Sequence, residues 1–152
     1  MNNIFKAAIL VMLSALSINS FAKTPCHSTV ESERADSMLD NLNDWDSIYQ
    51  YYEKYSKYEC YSTGYFGESI ADSIVKILAN KWDTLDNLSV YDKKNRKFVD
   101  FILSKIDSTV SSDDLINIHK SATNKCPDNL LRLCKRIDRE AVNSFKEMGG
   151  TF

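Results

Sequence analysis

The residues with the most definite chemistry in this chain are four cysteines, Cys26, Cys60, Cys126 and Cys134. In an exported chain, which the N-terminus indicates, an even number of cysteines predicts two disulfides. Three pairings are open. We favour Cys126–Cys134, because the residues between them can form a tight corner between two helices. The remaining pair is then Cys26–Cys60, which would join the N-terminal segment to the body of the domain.

Metal binding and the common catalytic motifs find no support in the sequence. Zinc sites need closely spaced Cys or His pairs, and only Cys26 and His27 are neighbours, so we predict no metal and no other cofactor. The chain contains no Gly-x-Ser-x-Gly, no His-Glu-x-x-His and no glycine-rich phosphate loop. The second histidine, His119, is expected on the outer side of a helix. The pattern is more typical of a binding protein than of an enzyme.

Glu68 is the one candidate catalytic residue. It follows Gly67 near a predicted helix start and has aromatic neighbours in the sequence, so it could be the acid of a two-carboxylate glycan hydrolase. A carboxylate in the first turn of a helix also offsets the positive end of the helix dipole. We take the second role as the main interpretation of Glu68 and the hydrolase as the alternative.

A run of aromatic residues is the most unusual feature of the chain. Tyr49, Tyr52 and Tyr55 share one helical stripe, and Tyr51, Tyr55 and Tyr58 form a second one turned by about 100°. One helix rarely buries two stripes, so we expect some of these tyrosines to be exposed, and exposed tyrosine is enriched at protein interfaces. The alternative is a core with tyrosine hydroxyls at its rim. The candidate partner-binding residues are Tyr51, Tyr58, Tyr61, Tyr65 and Phe66.

The first 22 residues have the pattern of a secretory signal peptide. Lys6 is their only charge, residues 7–18 are apolar, and the small residues Ser20 and Ala22 precede the expected cleavage. The apolar run is shorter than the roughly 20 residues that a membrane span needs. We therefore expect a periplasmic or secreted protein comprising residues 23–152, with no membrane span after cleavage.

Composition argues against two classes of protein. The chain has 152 residues, of which 43% are hydrophobic, and this apolar fraction is too high for a disordered chain. Its formal net charge is −2, so the chain lacks the overall positive field that holds nucleic acids by counterion release. We expect a folded protein that does not bind nucleic acid.

The distribution of glycine and proline predicts helices that position these residues. Residues 68–126 contain neither, and strands need frequent turns that depend on those two residues. Apolar residues such as Ala35, Met38, Leu39 and Leu42 recur with helical spacing. We predict one all-α domain over residues 23–152, a compact bundle of about six or seven helices braced by two disulfides.

The same spacing predicts where individual helices begin. Ser28 and Asn43 are expected to cap the first two helices. The third, residues 67–82, has the widest apolar face and should be the most buried. Ser111 should begin the capping box of the sixth helix, and Pro127 should open the last one.

Several of these residues also form a pattern resembling a known group of proteins. Cys60, Gly64, Glu68 and Trp82, together with the segments Asp113-Asp114-Leu115, Cys126-Pro127 and Leu133-Cys134, resemble a group of small exported proteins of Gram-negative bacteria. The resemblance implies a helical architecture and export. Where that group often has two acidic residues after its cysteine, this chain has Tyr61-Ser62-Thr63. In size, signal peptide, helices and disulfides, the chain is also similar to periplasmic immunity proteins.

Together these patterns favour an exported, non-enzymatic binding protein. Export, the disulfides and the tyrosine run, with the similarity in class to immunity proteins, favour an immunity or inhibitor protein that acts against a secreted toxin or an envelope enzyme. Its expected partner is another exported protein. Two alternatives stay open: a small envelope glycan hydrolase, and a structural or scaffolding protein of the envelope.

Overall fold

The computed structural model describes residues 29–152, which form seven α-helices and three short 3-10 turns. The helices are α1 (Thr29–Leu39), α2 (Trp45–Tyr55), α3 (Gly64–Asn80), α4 (Leu85–Lys94), α5 (Arg96–Leu103), α6 (Ser112–Asn124) and α7 (Leu131–Glu147). The 3-10 turns span Glu59–Tyr61, Trp82–Thr84 and Asp128–Leu130. No strand occurs between residues 29 and 152, which confirms the all-helical prediction.

Several predictions concern residues outside the described range. They are the signal peptide at residues 1–22, the helix cap Ser28, and the disulfide partner Cys26. Within the described range, the Cys126–Cys134 disulfide is formed, as predicted. This is the one complete disulfide among residues 29–152, so the prediction of two bridges is confirmed in part. None of the helices described is both long and apolar enough to cross a bilayer.

α3 lies at the centre of the bundle. Of its 17 residues, seven are buried, and it contacts both α1 and α6. The buried residues recur at helical spacing along one broad face: Gly67, Ile70, Ala71, Ile74, Val75, Ile77 and Leu78. Because branched and small side chains alternate there, neighbouring helices can approach α3 closely on several sides.

α6 and α7 form an antiparallel hairpin that closes one side of the bundle. They make the most extensive helix pair in the described chain, and the Cys126–Cys134 disulfide joins them at the corner. The Trp82 side chain donates its indole N–H to the carbonyl of Lys125 at 3.0 Å. The corner is therefore fixed both covalently and by a hydrogen bond to the end of α3.

α2 is covered on two sides. One side faces α1, while Tyr49 and Tyr52 on the other side contact the aromatic rings of α4 and α5. At its start, the Trp45 indole N–H donates to both oxygen atoms of Thr84, at 3.0 and 3.1 Å. The remaining side of α2 is polar and exposed, with Asp46, Gln50, Glu53 and Lys54.

The structure corrects two predicted helix starts and confirms a third, Ser111 as the N-cap of α6, without its predicted capping box. α2 is capped by Asp44 and not by Asn43, since the Asp44 carboxylate accepts from the backbone N–H of Ser47 at 2.7 Å. α3 begins at Gly64 and not at residue 67, because Gly64 has a φ of +54° and turns the chain into the helix. Ser111 precedes α6 without a side-chain cap hydrogen bond.

Candidate functional site

The structure buries most of the tyrosine run. Tyr51, Tyr55 and Tyr61 are each 1% exposed, and their rings lie in a chain with centroids 4.9 Å apart. The prediction that Tyr51 and Tyr61 lie on a partner-binding surface is therefore corrected. Both tyrosine stripes of α2 are covered because the 3-10 turn at residues 59–61 folds back over one stripe, and α4 and α5 cover the other.

The hydroxyl groups of the buried tyrosines are bound internally. Tyr51 donates to the carbonyl of Tyr61 at 3.2 Å, and Tyr55 donates to a carboxylate oxygen of Glu31 on α1 at 2.8 Å. The Tyr61 hydroxyl lies 3.2 Å from Ser32 Oγ, also on α1. These bonds attach α1 to the rest of the bundle, and they satisfy hydroxyls that would be costly to bury alone.

The tyrosine core predicts a loss of stability at high pH. Burial raises the pKa of Tyr51, Tyr52 and Tyr55, and burial together with Asp46 raises the pKa of Tyr91 to about 12. In the unfolded chain these hydroxyls ionise near pH 10. The native state binds the hydroxyl protons more tightly than the unfolded chain does. This difference stabilises the native state fully below about pH 10, and the stabilisation is lost as the pH rises through the native-state pKa values of the tyrosines.

Two measurements test this pH dependence. We expect chemical denaturation midpoints to fall steadily above about pH 10, and tyrosinate absorbance in the native protein to rise later than in denatured protein. A Tyr91→Phe variant, which removes one raised pKa, should lose less of its stability over that pH range. Coincident tyrosine titrations of the native and denatured chains would contradict the prediction.

The exposed member of the aromatic run is Tyr65. Its side chain is 63% exposed in the first turn of α3, and its ring contacts that of Phe66. Phe66 and Tyr58, two further candidates for partner binding, are half-buried. The Asp36 carboxylate on α1, with a smaller contribution from Asp40, raises the pKa of Tyr65. An exposed aromatic ring therefore lies among carboxylates where α1 and α3 meet.

We call this surface the acidic face and define it by Asp36, Asp40, Tyr65 and Glu68. Asp36 and Asp40 are four residues apart on α1, and Glu68 is three residues after Tyr65 on α3, so each pair shares a helix side. All four are exposed. The aromatic run in the sequence identified Tyr65. The sequence did not identify Asp36 and Asp40, because only the packing of α1 against α3 brings these aspartates close to Tyr65.

A close backbone contact positions the acidic face. A Cβ atom at Gly67 would lie 2.6 Å from the carbonyl oxygen of Ser62, so only glycine fits where the 3-10 turn passes α3. The ammonium group of Lys105 donates to that same carbonyl at 2.6 Å, and burial lowers the pKa of Lys105. The start of α3, and Tyr65 with it, is thus attached to the segment that follows α5.

Charge is unevenly divided along the described chain. Residues 29–92 contain 13 acidic and 5 basic residues, whereas residues 93–152 contain 8 acidic and 12 basic residues. Four of the basic residues, which we call the basic strip, lie on α7: Arg132, Lys135, Arg136 and Arg139. The near-neutral total charge hides this division, so the overall composition did not point to the strip. The helical spacing of its members is the signal that could have found it.

Two titratable residues named in the sequence analysis, Glu68 and His119, lie in different surroundings. Glu68 is exposed on α3. His119 is half-buried on α6, where its Nδ1 lies 2.7 Å from an Asp138 oxygen and its ring packs at a tilt against Phe152, with the centroids 4.2 Å apart. Within residues 29–152, no group of His, Cys, Asp and Glu side chains has a geometry that could hold a metal ion.

The described residues therefore offer one candidate site, the acidic face. It consists of one exposed tyrosine, Tyr65, beside the carboxylates of Asp36 and Asp40, with Glu68 three residues further along α3. An exposed tyrosine among carboxylates is a surface of the kind that binds a macromolecule. Comparison of this chain with family models, with curated proteins and with solved structures found no match.

Proposed function

We propose that this protein is an exported, non-enzymatic binding protein of the immunity or inhibitor type, and that it contacts its partner through the acidic face. The observation that carries this proposal is the exposed ring of Tyr65 beside the carboxylates of Asp36 and Asp40. Tyrosine provides a large, rigid contact area and is enriched among the residues that dominate binding energy. The surrounding carboxylates favour a partner with a basic surface and speed its association.

Export and a second disulfide are part of the same proposal. The N-terminal sequence supports export, and residues 23–152 would then form the periplasmic or secreted protein. We infer that Cys60 pairs with Cys26, because no described cysteine is a free thiol and Cys60 packs half-buried against the core. The partner would be another exported protein, either a toxin or an envelope enzyme whose access to its substrate the complex blocks.

Affinity capture from a periplasmic extract tests the proposal. Purified protein comprising residues 23–152 serves as bait, beside Tyr65→Ala and an Asp36→Asn, Asp40→Asn double variant. The matched control is Val90→Ala, which truncates a side chain 61% exposed on α4, away from the acidic face. We expect the wild type and the control to retain the same exported protein. Tyr65→Ala should weaken the complex about 30-fold, the effect of losing an interface residue worth about 2 kcal/mol.

A cell-based experiment provides a second readout. If the protein is an immunity or inhibitor protein, deletion of its gene should lower survival against sibling cells or in the presence of the captured enzyme. Restoring wild-type protein should recover survival, and restoring Tyr65→Ala should recover it only in part. Deletion without effect, together with no recoverable complex, would overturn the proposed function.

A further inference from the structure

The basic strip on α7 forms a second surface with different chemistry. Arg132, Lys135 and Arg139 are exposed and lie three or four residues apart, so they share the outer side of the helix. The opposite side of α7 is buried in the bundle through Leu133, Ile137 and Ala141. The helix therefore presents a row of cations to solvent from a fixed position.

Much of the charge on this strip is uncompensated. Arg136 forms ion pairs with Asp92 on α4 and Asp100 on α5, and Arg139 pairs with Glu140 at 2.7 Å. Within residues 29–152, no carboxylate lies within ion-pair distance of Arg132 or Lys135. The pairs of Arg136 fix the strip relative to α4 and α5, while Arg132 and Lys135 are left to attract anions from solution.

The shape of the strip suits an extended surface better than a small ligand. It borders a hollow of about 470 Å³ that is open to solvent and includes Leu131, whose side chain is 50% exposed. A second open hollow, of about 260 Å³, continues between α5 and α7. Among the described residues no buried polar side-chain atom lacks a partner, so the hollows contain no unsatisfied polar group aimed at a specific ligand.

We propose that the basic strip docks the protein on an anionic phospholipid surface. Its cations would meet lipid phosphates, and Leu131 would enter the interfacial layer beside them, the combination that interfacial helices use. An acidic protein segment would also satisfy the charges, but the open hollows and the half-exposed apolar Leu131 beside the cations suit the interfacial layer of a membrane better. α7 packs on α5 and α6 whereas α1 packs on α2 and α3, so docking leaves the acidic face exposed. The inference does not depend on the proposed function.

Vesicle flotation tests this inference. Protein comprising residues 23–152 is mixed with phosphatidylcholine vesicles and with vesicles that also contain phosphatidylglycerol. The test variant carries Arg132→Gln, Lys135→Gln and Arg139→Gln. The control carries Lys57→Gln, Lys76→Gln and Lys120→Gln, which remove the same formal charge from exposed sites on other elements.

The expected outcome is specific to the anionic vesicles. Wild type and control should float with them at low salt and dissociate at high salt, and neither should bind phosphatidylcholine alone. Each cation near an anionic membrane contributes about fivefold in affinity, so the test variant should bind about 100-fold more weakly. Leu131→Ser should weaken binding with all charges intact. Circular dichroism of each variant confirms that the fold is retained.

Three results would overturn the proposal. One is that the wild type fails to float with anionic vesicles at low salt. Another is that the test variant and the control float equally well. The third is that inorganic phosphate or polyglutamate binds through the same three cations while vesicles do not, which would assign the strip to a soluble anion or an acidic protein.

Discussion

Replacing Phe98 with alanine should lower the free energy of unfolding by about 3–5 kcal/mol, the usual cost of truncating a buried aromatic residue. Phe98 is fully buried in α5, and its ring lies 4.9 to 5.2 Å from the rings of Tyr49, Tyr52 and Tyr91. Its removal leaves a cavity between α2, α4 and α5, and the tyrosine rings cannot fill it without leaving their present contacts.

Denaturant titration followed by circular dichroism measures this loss. Val90→Ala is the matched control, because it truncates a side chain 61% exposed on α4, and its effect should stay within about 0.5 kcal/mol. A Phe98→Leu variant should recover much of the stability, since it refills most of the volume. A Phe98→Ala protein as stable as wild type would show that these helices do not share one aromatic core.

Removing the Cys126–Cys134 disulfide should cost about 2.5 kcal/mol, the chain entropy released when a short loop is opened in the unfolded state. The two cysteines are eight residues apart in the sequence, and Cys134 is buried while Cys126 is half-buried. The bridge closes the corner between α6 and α7, the most extensive helix pair of the described chain. Its loss should therefore loosen the hairpin that contains the basic strip.

The experiment compares a Cys126→Ala, Cys134→Ala double variant with wild type by thermal unfolding. A single variant would leave a reactive thiol, so the double variant is the informative one. The helical circular dichroism signal at low temperature should be unchanged, because the α6–α7 interface remains buried. Equal unfolding temperatures for the double variant and the wild type would mean that packing alone fixes the corner.

The helical fold could be predicted from the sequence because its signals are local. The absence of glycine and proline from residues 68–126 predicts helices, and the apolar spacing predicts the buried face of α3. Both signals come from residues that are close together in the sequence, and both predictions are confirmed. The Cys126–Cys134 bridge was predictable for the same reason, since a short corner brings its two ends together. Helix starts were less certain: Asn43 and Asp44 are both good caps, and only the observed hydrogen bond to Ser47 identifies Asp44.

The candidate site could be predicted only in part, because exposure depends on contacts between distant segments. The periodicity of α2 shows two tyrosine stripes, and it does not show that a turn at Tyr61 covers one of them while Phe98 covers the other. Tyr65 was identified from the aromatic run, but its neighbour Asp36 belongs to a different helix. The basic strip was hidden for another reason: a nearly balanced total charge does not show how charge is distributed.

The contact between Gly67 and Ser62 determines the register of the chain at this junction. Because no more than a hydrogen atom fits between the two backbones, neither segment can slide past the other by a residue. Hard-core repulsion of this kind is not screened by ions and does not titrate, unlike the charged groups around it. The closest approach of the start of α3 to the turn before it should therefore have the same lower limit at acidic pH, at neutral pH and at high salt.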